Sequence, residues 1–411
     1  MSLNHEASWA VKHALEHNLI VEEDTAVLFQ SWNQLDVHLQ HLKSAFSSFD
    51  CLHSVAIKTN PNISVLKRIV DQGFGLEAAS MEEVELAFRA GILPSKLVFD
   101  SPVKTRLELQ RCHTEFAGII VNANCISELA RMPENPNFTL GLRINPMQSS
   151  DAPAMYDVST DESKFGQPIE DEKEILQAIL EYPITQLHVH VGSSISNMEE
   201  SIAAFSKVGE LISKANIQLK QNAIDRQIET FDIGGGLVPE KLKEGVPSTM
   251  EKFAKAIWEK TPMLRNVKII TEFGQWVHFH AGYAISNIEY VLTRKNKQII
   301  FIHLGADYFM RDAYYKTRPM SVKLWRNGFF EEKEGMTTDF AGPLCFAGDY
   351  VKKNDFFPIA KDTDKVAFLG TGSNSYGLWS RHCSRKIPKI LGVDYKNKHI
   401  DILSERQHIN F

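Results

Sequence analysis

The sequence predicts an α/β fold in which an eight-stranded (β/α) barrel is joined to an antiparallel β domain. Three observations carry this expectation. From about residue 50, short β-branched apolar runs alternate with longer stretches of helical period, the pattern of repeated strand-helix units. Eight such runs fit into roughly 220 residues, the size of a closed barrel. After Gly282 the runs follow one another with turn signals and no regular helices between them, as in antiparallel sheets. A doubly wound open sheet would usually need fewer strands and a Gly-rich fingerprint after the first.

Taken in order, Thr25–Phe29 reads as a strand, and Asn33–Phe46 as a helix carrying Leu35, Leu39, Leu42 and Phe46 on one face. The eight runs are Leu52–Ile57, Phe74–Ala78, Lys96–Phe99, Gly118–Val121, Phe138–Ile144, Gln186–Val191, Thr230–Ile233 and Lys268–Thr271. Between them lie amphipathic stretches at Ile63–Asp71, Met81–Ala90, Glu170–Glu181, Glu199–Ala215 and Thr249–Glu259. This is the order of a TIM-like barrel, expected over residues 31–282. Later strands are expected at Ile285–Leu292, Gln298–Leu304, Met320–Leu324, part of Gly342–Val351, and Val366–Leu369. Residues 1–30 and 283–411 then form the β domain, with Thr25–Phe29 returning to it.

Bulk properties exclude several classes. With 411 residues, 43% hydrophobic and 23% charged, the chain has ample apolar side chain for a large core. The formal net charge is −6 without a Lys/Arg block, so no nucleic-acid footprint is present. The N-terminal segment mixes His, Glu and Lys among its apolar positions, unlike a signal peptide, and no window reaches membrane-spanning length. Five scattered cysteines without metal-ligand spacing suit reduced thiols and a cytoplasmic location.

In a barrel, chemistry belongs at the C-terminal strand ends. The first strand runs into Lys58 in VAIKTNPN. Held in apolar surroundings, its amine would have a lowered pKa and act as a nucleophile or Schiff-base former; alone, a lysine there more often snorkels into water. The sixth strand carries His188 and His190 in HVHVGS, on one face by strand alternation. With no Cys or carboxylate beside them, stacking or hydrogen bonding is expected rather than metal binding. The seventh ends in FDIGGG, where Gly234, Gly235 and Gly236 would let backbone amides approach an anion. The eighth ends at Glu272 in TEFGQ, a carboxylate after an apolar run, which either meets a cation or changes its pKa.

In this order and spacing, VAIKTNP, SKFG, HVHVGSS, FDIGGG, TEFGQ and GPLCFAGD resemble the fold-type III pyridoxal 5′-phosphate (PLP) decarboxylases. That group includes ornithine, diaminopimelate and carboxynorspermidine decarboxylases and shares an alanine racemase-like architecture. The resemblance spans about residues 25 to 390. It implies PLP as cofactor, a Schiff base on Lys58, His190 stacked on the ring, and Glu272 on the ring nitrogen. It further implies Glu77 supporting the ring, Arg143 near the cofactor, and Ser193 with the three glycines at the phosphate. Cys345 in GPLC is implied to protonate Cα, supplied across a homodimer interface.

Three departures bear on substrate. Gln275 stands where the family has Arg, Phe346 follows Cys345 where the ornithine and diaminopimelate enzymes have an acid, and Asn374 replaces a cofactor-contacting Tyr, with Tyr376 nearby as substitute. Arg311 and Tyr315, in FMRDAYY, resemble the segment that meets a substrate carboxylate. The expected activity is decarboxylation of an amino acid or amino-acid-derived intermediate of siderophore, polyamine or antibiotic type. The alternatives are a PLP racemase or epimerase, against which Cys345 speaks, and a non-catalytic PLP-binding protein, whose short members lack a β domain.

Overall fold

A computed structural model describes residues 3–243, 245–315, 319–331 and 335–407. The chain divides into two compact units, Leu39–Val277 and Met1–His38 with His278–Phe411, the division falling inside the helix Trp32–Ala45.

The first unit is a closed parallel barrel. Its eight strands are Cys51–Ala56, Gly75–Ala78, Leu97–Phe99, Ile120–Ala123, Thr139–Asn145, Ile184–His188, Thr230–Asp232 and Lys268–Thr271. Each pairs in parallel with the next, and the eighth pairs with the first, closing the ring. A two-residue strand, Gln167–Pro168, adds to the fifth. Helices between the strands start where short polar side chains cap them. Asn62 and Ser80 each accept a backbone N–H of the first turn, and Thr105 with Glu108 and Ser248 with Glu251 form reciprocal capping boxes.

Side chains alternate across each strand, so every second residue enters the barrel. At the strand starts these are apolar: Leu52, Val98, Ile120 and Ile270 form one cluster. Midway they become polar, with Gln186 donating to Asn122 at 2.8 Å. At the strand ends they are charged: Asp100, Arg143, His188 and Asp232, all buried. The sixth strand stops at His188 rather than reaching Val191 as expected. Beyond it the chain turns, with Ser194 at φ 66°.

The second unit is built on the strand Ala26–Ser31, which pairs antiparallel with Gly282–Arg294 and parallel with Lys389–Asp394. Its pleat feeds two cores. Ala26 and Leu28 join Phe309, Phe340 and Phe368, whereas Val27 and Phe29 pack with Ala7, Ala10, Val11 and Ala14 of the helix Leu3–Glu16. The remaining pairings are antiparallel except Lys297–Ile302 with Gly335–Ala341. One expectation is corrected here: a short helix, Met310–Tyr315, interrupts the strands after Gly282. Of Gly342–Val351, where part was expected as strand, Tyr350 and Val351 open the strand Tyr350–Pro358 and GPLCFAGD is the loop before it.

Candidate active site

The first barrel strand passes into a single 3-10 turn, Ile57–Thr59, which places Lys58 just beyond the strand end. Its Nζ donates to both Glu77 oxygens, at 2.9 and 2.7 Å. The Glu77 side chain is fully buried, while that of Lys58 is 51% exposed. Desolvation pulls the ammonium down, but Glu77, Glu272 and Asp100 outweigh it and hold Lys58 above the ordinary lysine range. The lowered pKa expected from an apolar run is therefore reversed, because the carboxylates come from other strands.

Behind this pair lies a buried ionic array. Asp100, at the end of the third strand, lies 3.3 Å from Arg143 Nη1 and 3.1 Å from His188 Nε2. His188 Nδ1 lies 3.3 Å from Asp232 Oδ2, so the ring sits between two carboxylates, at ion-pair distance but without hydrogen-bond alignment. Burial opposes its charge, yet Asp100 and Asp232 prevail and raise His188 well above its usual value. Burial likewise opposes ionisation of Asp100, but His188 and Arg143 hold it well below the usual carboxylate range. Arg143 also covers the Phe165 ring at 4.4 Å. Glu272 is the contrast: burial and then Asp232 push it well above the usual range, and its Oε1 has no partner among the described residues. Asp100, His188 and Glu272 could surround a cation. An imidazolium, however, has no lone pair to give a metal.

His190 lies beyond the sixth strand, half-buried. Burial, reinforced by Arg143 and Lys58, pushes it well below its usual value, so the ring is neutral. The Gly235 amide donates to its Nδ1 at 3.2 Å, which leaves the ring proton on Nε2. The glycine run allows this close approach: a Cβ on Gly235 would lie 2.6 Å from Glu272 O, and one on Gly236 2.1 Å from Gly192 O. Gly234 and Gly236 have φ of 65° and 112°. The Gly234 amide already donates to Asp232 Oδ1, at 2.9 Å. Two of the three amides expected at an anion are thus engaged within the protein, and that of Gly236 is left. Ser193 is in the following turn, where its amide donates to Tyr156 O. Gln275 Nε2 reaches Ser194 Oγ at 3.4 Å.

The remaining expected residues belong to the second unit. Cys345 and Phe346 are in the Gly342–Asp349 loop, which the Asp349 carboxylate braces by accepting from Leu344 N at 2.6 Å and Ala306 N at 2.7 Å. Cys345 is exposed, and its amide donates to Cys383 Sγ at 3.5 Å. Phe346 meets His382 edge-on at 6.0 Å. Arg311 lies in the helix Met310–Tyr315, and the side chain of Tyr315 is outside the described residues. Asn374 is buried at φ 51°, a backbone region that asparagine tolerates well, and Tyr376 packs half-buried against the Phe309 core.

Two residues escaped the sequence reading, Asp100 and Asp232, and with them the charged role of His188. For Asp100 a signal existed, since LVFD is an apolar run ending in a charge, like VAIK and IITE.

A parallel barrel that gathers a lysine, a neutral histidine, a glycine cradle and an unpartnered buried acid at its strand ends is the barrel of a cofactor-dependent enzyme. The chain belongs to the pyridoxal-dependent decarboxylases: the family model described as "Pyridoxal-dependent decarboxylase, pyridoxal binding domain" matches residues 33–279. Among curated relatives, the diaminopimelate decarboxylase of Haemophilus influenzae is 25% identical, covering 90% of this chain and 91% of its own. That of Helicobacter pylori is 27% identical, covering 89% of each. The crystal structure of the H. pylori enzyme complexed with L-lysine superposes with a TM-score of 0.83 at 23% identity over 96% of both chains. The arginine decarboxylase of Paramecium bursaria Chlorella virus gives 0.78 at 20% identity, over 91% of this chain and 96% of that one. The protein is a PLP-dependent amino-acid decarboxylase with the alanine racemase-like fold.

Proposed function

We propose that Lys58 anchors the cofactor and that the chain decarboxylates an amino-acid-derived biosynthetic intermediate of siderophore, polyamine or antibiotic type. The observation that carries the site assignment is the buried Oε1 of Glu272, without a partner among the described residues, beside the Lys58–Glu77 pair. A cationic ring nitrogen placed there would satisfy that oxygen and let Glu272 ionise. The bound cofactor supplies an electron sink for the pair left when the Cα carboxylate departs as CO2. His190, neutral and fixed through Nδ1, offers a ring face for stacking. Gly236 and Ser193 take the phosphate end, with Gly234 and Gly235 giving the close backbone approach and Gln275 and Asn374 lining it. Glu77 orients Lys58, and Arg143 holds the array behind. Cys345 donates the proton to Cα, delivered across a homodimer interface. Arg311 meets the substrate carboxylate, Tyr315 and Phe346 contact the substrate, and Tyr376 takes the place of the cofactor-contacting Tyr.

Phe346 and Gln275 favour a substrate other than the diaminopimelate of the named relatives. Phe346 replaces an acid, so a simple distal ammonium loses its counter-charge, and Gln275 replaces an Arg, so a phosphate or carboxylate contact loses a cation. The location is cytoplasmic; no helix among the described residues is long and apolar enough to cross a membrane. Two measurements test the reading. Borohydride reduction of the PLP-reconstituted protein should leave the adduct on Lys58, and an adduct on another lysine overturns the anchor. CO2 release should then be measured across amino acids and citryl- or carboxyalkyl-diamines. Activity confined to ornithine or diaminopimelate overturns the substrate class.

A further inference from the structure

The barrel has a second concavity, at the end where its strands begin. A cavity of about 490 Å³ opens there, a volume within the range of small-molecule sites. One wall is a continuous run of rings. Phe46 meets Phe49 at 5.7 Å and His53 edge-on at 5.6 Å, and His53 meets Phe74 at 5.9 Å. His53 Nδ1 pairs with Thr271 Oγ1 at 2.8 Å, and burial, helped by Lys43, lowers its pKa to about 4, so it lines the wall as a neutral ring.

The rim is basic: Lys43, Lys96 and Lys268 line the cavity against one acid, Asp50. Lys96 Nζ is fixed on Gly73 O at 2.8 Å. Lys43 and Lys268 have exposed side chains and form no ion pair with any described residue. Elsewhere on the barrel, Lys214 and Lys260 each hold a glutamate at 2.7 Å or closer. Two unpaired cations over a ring-lined hollow leave a surplus of positive charge above an apolar floor.

We propose that this N-terminal mouth is a binding site for a small organic anion with a flat apolar body, its carboxylate held by Lys43 and Lys268 and its body laid against Phe49, above the buried rings of Phe46 and Phe74. The size suits one such molecule, and the surplus charge selects against neutral or cationic ones. The site lies at the opposite strand ends from Lys58 and needs none of its residues.

The test is calorimetric titration of the PLP-loaded full chain with 2-naphthoate and with its neutral counterpart 2-naphthylmethanol. The expected result is one saturable naphthoate site per chain and at least about tenfold weaker binding of the alcohol. Lys43→Glu/Lys268→Glu should weaken naphthoate at least about tenfold with CO2 release unchanged. Ser47→Trp, at the rim, should abolish binding by filling the hollow. Equal binding of acid and alcohol, full binding by either variant, or no saturable binding to the wild type overturns the proposal.

Discussion

The two mouths of the barrel are made by the same eight strands and manage charge in opposite ways. Where the strands end, the half-exposed Lys58 is held by buried Glu77, and behind it Arg143 and His188 are held against Asp100 and Asp232 in a buried array. Where they begin, the lysines stand in solvent and the interior beneath is apolar. Deep charges cost little only while compensated, so each member of the array depends on its neighbours. Glu272 is the member whose Oε1 has no partner among the described residues, and burial with Asp232 raises its pKa well above the usual range. Surface lysines carry no such dependence. The same fold thus offers a site sensitive to single charges at one end and a tolerant one at the other.

The largest effect expected from breaking this contrast is at Lys58. Lys58→Ala should remove the borohydride-stable adduct and lower CO2 release by a factor on the order of 10⁴. Retained turnover would show that the array does not anchor the cofactor. Next, His188→Leu strips the counter-ion from Asp100 and Asp232 at once. It should destabilise the barrel by about 3–5 kcal/mol, whereas Lys268→Glu at the other mouth should stay within about 0.5 kcal/mol. Chemical denaturation of both variants compares them directly, and equal losses would mean the array is not the stabilising element. Glu272→Gln keeps the shape but cannot ionise. It should retain bound cofactor, read from its absorbance, while turnover falls by a factor on the order of 10². An unchanged rate would release Glu272 from its role.

These differences also mark what could be read in advance. Strand and helix order was legible because buried parallel strands and amphipathic helices write their period locally. Lys58, His190 and Glu272 stood out as polar residues closing apolar runs, strengthened by the order of the motifs. The array was not legible, because Asp100, His188 and Asp232 come from three strands and acquire meaning only when the barrel closes. The same cause reversed the expected pKa of Lys58. In the second unit, the helix Leu3–Glu16 was missed because its buried face is mostly alanine, with Glu6 among the buried residues. The strand Lys389–Asp394 was missed, its parallel pairing with Ala26–Ser31 spanning nearly the whole chain, and with it the strand His399–Ser404 that pairs antiparallel beside it.

The smallest effect separates the two mouths by pH, through one buried histidine at each. His53 titrates at about 4 in the folded barrel against an ordinary value of 6.5. Between those values the unfolded chain binds the proton that the folded chain refuses, so stability falls as pH drops through that window. The full loss is on the order of 3 kcal/mol. His188 has the opposite sign. Its folded pKa is raised, so its contribution is complete below 6.5 and is lost only as pH rises through the folded value. Acidification from pH 7 to 4.5 should therefore weaken the wild-type barrel at its N-terminal mouth while the array holds. His53→Phe keeps the ring in the wall and removes the titration, leaving the Thr271 hydroxyl unpaired at a constant cost of about 1 kcal/mol. Guanidinium unfolding of the cofactor-free chain at the two pH values measures this. The variant should lose about 2 kcal/mol less than wild type across the interval, and equal losses would show that the acid sensitivity lies elsewhere.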